Sequence, residues 1–360
     1  MNANNSNVDA VSIELQDFPD FDYQGLKPSF HVLRQGERKL GFSGAMQSIA
    51  HPEIAMYGPL GLDQECRGKG YGARLMKTTL AFLKEAGVKA VYVGSGNLPA
   101  CFTYQKAGFD YIFPTSQKCS NYSFGVSDYR AISRKGEYAC FVSVMDHVDG
   151  LAPVMFLRNM LNGGSGVEFE RNFFDAKGPL EIRKLKSGDY VELQMLLNRD
   201  YPFVVRNYSL NLFDIEPFID SQMKVLLSIL DDKKMRGYRY FNINGSIVCL
   251  LAVQGGVPVG FGSLAGPLTY ERVYAKTGAG TVDMLFHPEH ADSDNYGKLF
   301  DELVGISRNL DNPKELRKLK VYLTPDDSRL DFYLARGFVL EACLKKEVRD
   351  HDLLVLTRMN

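Results

Sequence analysis

Residues Arg67 to Leu75 read RGKGYGARL, a stretch rich in glycine and basic side chains. Upstream, IAMYGPLGL (Ile54 to Leu62) is an apolar run broken by Gly58 and Pro59. It reads as a strand with a bulge or a close backbone approach. Downstream, ARLMKTTLAFLKEAG places Leu75, Met76, Thr79, Leu80 and Leu83 at helical spacing and ends on Gly87, where a C-cap glycine belongs. The quoted loop therefore sits at a strand-to-helix crossing. Gly68, Gly70 and Gly72 there expose backbone N–H groups in one direction, and the helix start adds the positive end of its dipole. A Cβ would hold a bulky anion off the backbone and forbid some of the φ values required. Arg67, Lys69 and Arg74 reinforce the charge.

Working outward, FHVLRQ, the turn GERKL and GFSGAMQS form a hairpin pattern before the bulged strand. VKAVYVGSG follows the helix as a short β-rich run, NLPACFTYQKAGF is a second helix closed by Gly108, and DYIF resumes strand character. Strand, glycine loop, helix, strand, helix, strand implies an α/β layer with a parallel pair at its centre. YACFVSVMDH reads as a further strand and LNGGSG (Leu161 to Gly166) as a flexible break. LEIRKL then opens a second series: a helix capped by Ser187, strands around glycine turns up to Gly266, TVDMLFHPEH, DSDNYGKLFDELVGIS, KLKVYLTP and SRLDFYLARGF.

The two series share letters. YGARLM and YQKAGF in the first correspond to YGKLFD and YLARGF in the second, in the same order. The expected organisation is a domain duplication: residues 1–150, a connecting segment 151–178, and residues 179–360. The expected fold class is α/β with mixed sheets, each module a twisted central sheet flanked by helices.

The 360 residues suit two such domains. A net charge of −1 gives no global field for nucleic acid or membrane. No apolar run approaches the ~18 residues that span a bilayer, and the polar start MNANNSNVDA lacks the build of a signal peptide. Six scattered cysteines without a CxxC pair read as reduced thiols, so a cytoplasmic protein is expected. His287 and His290, with Glu289 and Asp292, have no fixed ligand spacing, and a polar loop is the expectation there rather than a metal.

Among phosphate motifs, a P-loop needs G-x-x-x-x-G-K-[ST], which is absent, and the glycine spacing differs from the dinucleotide fingerprint G-x-G-x-x-G. Arg67-Gly68-Lys69-Gly70-Tyr71-Gly72 fits R-x-x-G-x-G at a strand-to-helix crossing. Downstream, Asn97, Ala100, Tyr104, Lys106, Gly108 and Phe109 form N-x-x-A-x-x-x-Y-x-K-x-G-F. With both motifs in this order, the chain resembles the GNAT superfamily of acyl-CoA N-acyltransferases, closely over about residues 54–113.

The resemblance implies acetyl-CoA as co-substrate, with backbone amides from Arg67 through Gly68, Lys69, Gly70, Tyr71 and Gly72 to Ala73 holding its pyrophosphate. It implies that Leu60, Gly61 and Leu62 pair with the pantetheine arm, in a slot left where their strand splays from Val91–Val93. Asn97 would touch the cofactor, and Tyr104 would protonate the departing thiolate. An amide near Leu60 or Gly61 would meet the developing oxyanion. Glu53 is the candidate general base, with Asp63 and a water chain as alternatives. The acceptor is a small-molecule or protein amine, with no metal, nucleic acid or membrane partner expected and the oligomeric state open.

The second module departs from this pattern. Asp292, Ser293, Asp294 and Asn295 stand where the first has Arg67, Gly68, Lys69 and Gly70, which replaces attraction for a phosphate by repulsion. It is expected to keep the scaffold and to lose the cofactor. The first module is short before its bulged strand, so the second is expected to supply the acceptor wall, with Tyr201, Phe203 and Tyr208 as candidate lining. A CoA-binding regulatory protein without turnover is the alternative to an enzyme.

Overall fold

The computed structural model describes residues 11–16, 25–95, 98–112, 155–197, 247–265, 279–308, 317–348 and 351–359. The strand read at YACFVSVMDH and the aromatics Tyr201, Phe203 and Tyr208 lie outside the described residues. The chain divides into two units. Unit 1 is Met1–Ile112, Val154–Glu170 and Ser187–Glu192; unit 2 is Phe113–Pro153, Arg171–Lys186 and Leu193–Asn360.

In unit 1 the elements are β1 (Val11–Gln16), β2 (Leu26–Gln35), β3 (Arg38–Ser48), β4 (Ile54–Leu62), α1 (Tyr71–Glu85), β5 (Ala90–Ser95), α2 (Leu98–Lys106), β6 (Asp110–Tyr111) and β7 (Met155–Met160). Their sheet has the order β1-β2-β3-β4-β5-β7-β6. Met155–Met160, read from the sequence as part of a connecting segment, is thus a strand between β5 and β6. Leu157 is buried on it and Asn159 Nδ2 donates to the Ala107 carbonyl at 2.9 Å. A six-residue strand entered from LAPV offers too little alternation to be recognised alone.

The flexible break at LNGGSG is a turn that leads directly into α3 (Gly166–Phe174). Its middle is held by Glu170, which accepts from Tyr92 Oη at 3.1 Å and pairs with Arg158. After it come β8 (Leu180–Lys184), a single turn at Ser187–Asp189 and α4 (Tyr190–Leu197).

Unit 2 continues with β9 (Ile247–Gln254), β10 (Val257–Ala265), β11 (Ala279–Phe286), α5 (Ser293–Arg308), β12 (Lys318–Leu323), α6 (Leu330–Ala335), β13 (Val339–Val348) and β14 (His351–Met359). Read from β8, its sheet runs β8-β9-β10-β11-β12-β14-β13. The two sheets therefore share one strand order, with the fourth and fifth strands parallel and the last two exchanged. Both parallel ladders are short: Ile54↔Ala90 to Met56↔Tyr92 in unit 1, and Ala279↔Lys318 to Thr281↔Lys320 in unit 2.

Helix α1 buries Leu75, Met76, Thr79, Leu80 and Leu83. Each large apolar side chain contributes about 1.5–3 kcal/mol of transfer free energy. The matching stripe on α5 is Leu299, Phe300, Leu303 and Val304. Aligning the stripes sets Gly72, not Tyr71, against Tyr296, so the shared Tyr-Gly letters are one residue out of step with the packing.

The other shared string is in step. In Tyr104-x-x-x-Gly108-Phe109, the Phe109 N–H donates to the Tyr104 carbonyl (3.1 Å) and Gly108 N–H to Gln105 (3.0 Å). In unit 2, Phe338 donates to Tyr333 (3.1 Å) and Gly337 to Leu334 (3.1 Å). Both are Schellman caps with the glycine in the left-handed region, at φ 93° and 81°. The aromatic pair supplies the accompanying apolar contact, with ring centroids 5.7 Å apart in the first and 5.2 Å in the second.

Candidate functional site

The bulge expected at Gly58-Pro59 is present. The β3–β4 register passes from Ala45↔Tyr57 to Ser43↔Leu60, and Gly58 takes φ 137°. The β4–β5 ladder ends just before it, at Met56↔Tyr92. Beyond that point Leu60, Gly61 and Leu62 pair with Ser43, Phe42 and Gly41 of β3 on one side, while their other edge diverges from β5. A Cβ on Gly61 would lie 2.6 Å from the Phe42 ring, so this glycine lets the ring cross the strand.

From Leu62 the chain makes one short turn at Gln64–Cys66, then Arg67 to Gly70, then α1. Gly68 and Gly70 have φ 75° and 81°, and a Cβ at either would meet nothing within 4 Å. Their presence is a matter of backbone conformation and open space, not of packing. The first hydrogen bond of the helix is Arg74 N–H to Gly70 O at 3.1 Å. The N–H groups from Gly68 to Ala73 consequently have no backbone acceptor among the described residues. Arg67, Lys69 and Arg74 are exposed around them. A run of donors without backbone acceptors at a helix start, ringed by cations, fits a pyrophosphate.

Beneath the loop, Leu33, Leu40, Cys66 and Leu75 form a buried cluster against which Leu60, Leu62 and Tyr71 pack. A Cβ on Gly72 would touch Leu62 Cδ1 at 3.3 Å, which shows how closely the first turn of α1 sits on β4. The start of α1 and the bulged strand thus pack together through this cluster. Arg38 adds to this arrangement: its guanidinium pairs with Glu65 and lies 3.8 Å from Asp63 Oδ2. Two carboxylates beside the loop are thereby matched by a cation at the start of β3. Neither Arg38 nor the cluster is visible in a local motif, because their partners are distant in sequence.

Tyr104 is buried beside the bulge, its ring 5.9 Å from that of Tyr57 and edge-on to it. Burial and the neighbouring Tyr104 push the Tyr57 phenol well above its ordinary range. Asn97 lies outside the described residues. Glu53 is not brought to this place. It precedes β4, its carbonyl accepts from Lys89 (2.8 Å) and Ala90 (3.1 Å), and its carboxylate faces His51 at 4.0 Å. The bulge lies five strand positions further on, roughly 16 Å away. Asp63 is engaged at the loop, its N–H bonded to Leu40 O at 2.9 Å and its carboxylate near Arg38.

A buried polar chain seats α1 on the sheet. Thr79 Oγ1 lies 2.5 Å from Ser43 Oγ, 3.0 Å from His31 Nδ1 and 3.2 Å from the Leu75 carbonyl. Burial lowers the His31 pKa and keeps its imidazole neutral.

In unit 2 the histidines of the HPEH loop serve the fold. His290 Nε2 meets the Phe174 carbonyl at 2.8 Å, and the His287 ring stacks on that of Phe174 at 4.5 Å. Among the described residues no group of three or more His, Cys, Asp and Glu is gathered for a metal. No helix there is long and apolar enough to cross a membrane.

Residues 7–109 match the model of the Acetyltransferase (GNAT) family. No curated protein matches the chain. Solved structures resemble it over half its length. A GNAT-family acetyltransferase from Streptococcus pneumoniae is 17% identical, covering 50% of this chain and 99% of that one, with a TM-score of 0.36. Ribosomal-protein-S5-alanine acetyltransferase from Vibrio fischeri is 15% identical over 50% and 93%, TM-score 0.36. Spermidine N-acetyltransferase from Vibrio cholerae is 17% identical over 50% and 93%, TM-score 0.35.

Proposed function

With residues 7–109 a domain of the GNAT acetyltransferase family, we propose that the protein moves an acetyl group from acetyl-CoA to a primary amine, using unit 1. The observation that carries this reading is the run of N–H groups from Gly68 to Ala73, without backbone acceptors, at the end of a strand whose far edge is open. Bound acetyl-CoA supplies an activated thioester, and the remaining work falls to the chain. The loop amides, with Arg67, Lys69 and Arg74, bind the pyrophosphate. The open edge of Leu60 to Leu62 orients the amide-bearing arm by strand addition. An amide at Leu60 or Gly61 stabilises the oxyanion formed as the neutral amine attacks directly. Tyr104 donates the proton that the leaving thiolate needs. We assign no side chain as the amine's base: Glu53 stands at the wrong end of β4, which leaves a water chain to take that proton.

The test is release of free thiol from acetyl-CoA in the presence of an amine panel, together with direct titration of CoA. Turnover with at least one amine supports the reading. Saturable CoA binding with no turnover on any amine or amine-bearing peptide would favour a regulatory CoA-binding protein. Absence of CoA binding would remove both.

A further inference from the structure

Beyond its ladder with β12, strand β11 runs on from Val282 to Phe286, and β12 continues to Leu323. Two strand edges thus diverge, as β4 and β5 do in unit 1. A strand edge carries N–H and C=O groups that need partners when buried. In unit 2 a partner is built in. Arg329, at the start of α6 and 2% exposed, donates from Nη1 to the Met284 carbonyl at 2.5 Å and to Asp283 Oδ1 at 3.3 Å. Its Nε and Nη2 close a two-pronged pair on Asp327 at 2.9 and 2.6 Å. Asp283 and Met284 both lie past the last ladder pair, so the guanidinium stands against the divergent edge of β11. Two carboxylates and a carbonyl fix it there in the fork geometry that arginine favours. In unit 1 the corresponding connection, Gly94 to Ala100, contains no basic residue.

We infer that the divergent edge of unit 2 is internally occupied: Arg329, clamped by Asp327 and Asp283, holds the position on β11 that an extended, amide-bearing ligand takes on an open edge. Unit 2 therefore accepts no such ligand, and the chain binds one equivalent through unit 1. The inference rests on the reading of unit 1 for the choice of CoA as probe and for the one equivalent bound.

The experiment titrates the full chain with CoA by calorimetry and follows backbone hydrogen exchange. One equivalent is expected, weakened about 100-fold or more in Gly70→Asp, with CoA slowing exchange in residues 54–62 and leaving residues 279–286 unchanged. A second equivalent, binding of undiminished affinity in Gly70→Asp, or CoA-dependent slowing in 279–286 would overturn the inference. If the wild type binds no CoA, the reading of unit 1 fails, and exchange in the apo protein then decides the inference alone. Arg329→Met should speed exchange at the amides around Met284 by about tenfold or more while β9 and β10 stay slow. Arg329→Lys keeps the charge but not the fork, so it should give a smaller change in a protein that still folds. Exchange unchanged in both variants would overturn it.

Discussion

The two units cross from the fourth strand to the following helix in opposite ways. In unit 1 a short turn at Gln64–Cys66 is followed by a glycine loop, and α1 begins only at Tyr71. In unit 2 the short turn at Pro288–His290 is followed almost at once by α5, beginning at Ser293. There Asp292 caps the helix: its Oδ1 accepts the Asn295 N–H at 2.8 Å, and Asn295 Nδ2 bonds back to Asp292 and to the His290 carbonyl. The first crossing leaves its donors facing outward, while the second satisfies one with its own carboxylate and adds negative charge. A helix start at the same topological point leaves its donors without backbone acceptors in one case, where we propose an anion site, and is a capped end in the other. What separates them is a glycine turn against an N-cap aspartate.

The largest effect should come from making the first crossing resemble the second. Gly70→Asp places a carboxylate at the N-cap of α1, in the left-handed backbone that Gly70 holds at φ 81°. It should weaken CoA binding by about 100-fold or more, near 2.7 kcal/mol, in calorimetric titration. Asp294→Ala, on the first turn of α5, should leave CoA affinity unchanged. Equal losses in the two variants would break the comparison.

Much of this contrast is legible in the letters. Gly68, Gly70 and the basic residues give the loop, while Asp292 to Asn295 reveal its loss, because both are local effects of side chain on backbone. The Tyr-x-x-x-Gly-Phe strings are legible too, but they report a helix cap common to both units before they report chemistry. The Tyr-Gly match at the helix starts is misleading, since the apolar stripes place it one residue out of step. Proximity along the chain points to Glu53, but the strand carries it away from the bulge. Arg329, Arg38 and the strand at Met155–Met160 are set by tertiary partners, which no local pattern encodes.

The next largest effect separates cap from catalyst. Tyr104 and Tyr333 hold the same cap position, and burial raises the Tyr333 phenol well above its usual range. Tyr104→Phe keeps the ring contacts and removes only the hydroxyl. It should lower kcat by about tenfold to 100-fold and alter the alkaline limb of the pH–rate profile, with CoA affinity and thermal stability near wild type. Tyr333→Phe should leave kcat unchanged. If Tyr104→Phe turns over at the wild-type rate with an unaltered pH profile, the two tyrosines are equivalent caps and the thiolate needs no phenol.

A smaller change is expected at Arg38. Removing it would expose a phosphate bound at the loop to Asp63 and Glu65 across distances at which charges are only partly screened. Arg38→Ala should raise the Kd for CoA about fivefold at low salt, less at high salt, without changing kcat. Adding Glu65→Gln should restore most of the loss. A double variant as weak as the single one would mean that Arg38 acts through the turn it anchors and not through charge.

The smallest effect lies beneath the helices. At one position of the shared stripe α1 has Thr79, bonded to His31 and Ser43, and α5 has Leu303. His31 is neutral when buried, with a pKa below its ordinary 6.5. Above about pH 6.5 the folded and unfolded forms both hold it neutral, so it contributes no pH dependence. As pH falls below that value the unfolded chain takes up a proton that the folded one resists. Stability is then lost at up to about 1.4 kcal/mol per pH unit until the folded pKa is passed. Thermal denaturation between about pH 7 and pH 5 should therefore show a decline that His31→Gln flattens. Protection of the α1 amides, corrected for intrinsic exchange, should fall over the same interval while that of α5 does not. A decline of equal size in both helices would place the acid sensitivity elsewhere, and the polar seat of α1 would then be no more titratable than the leucine beneath α5.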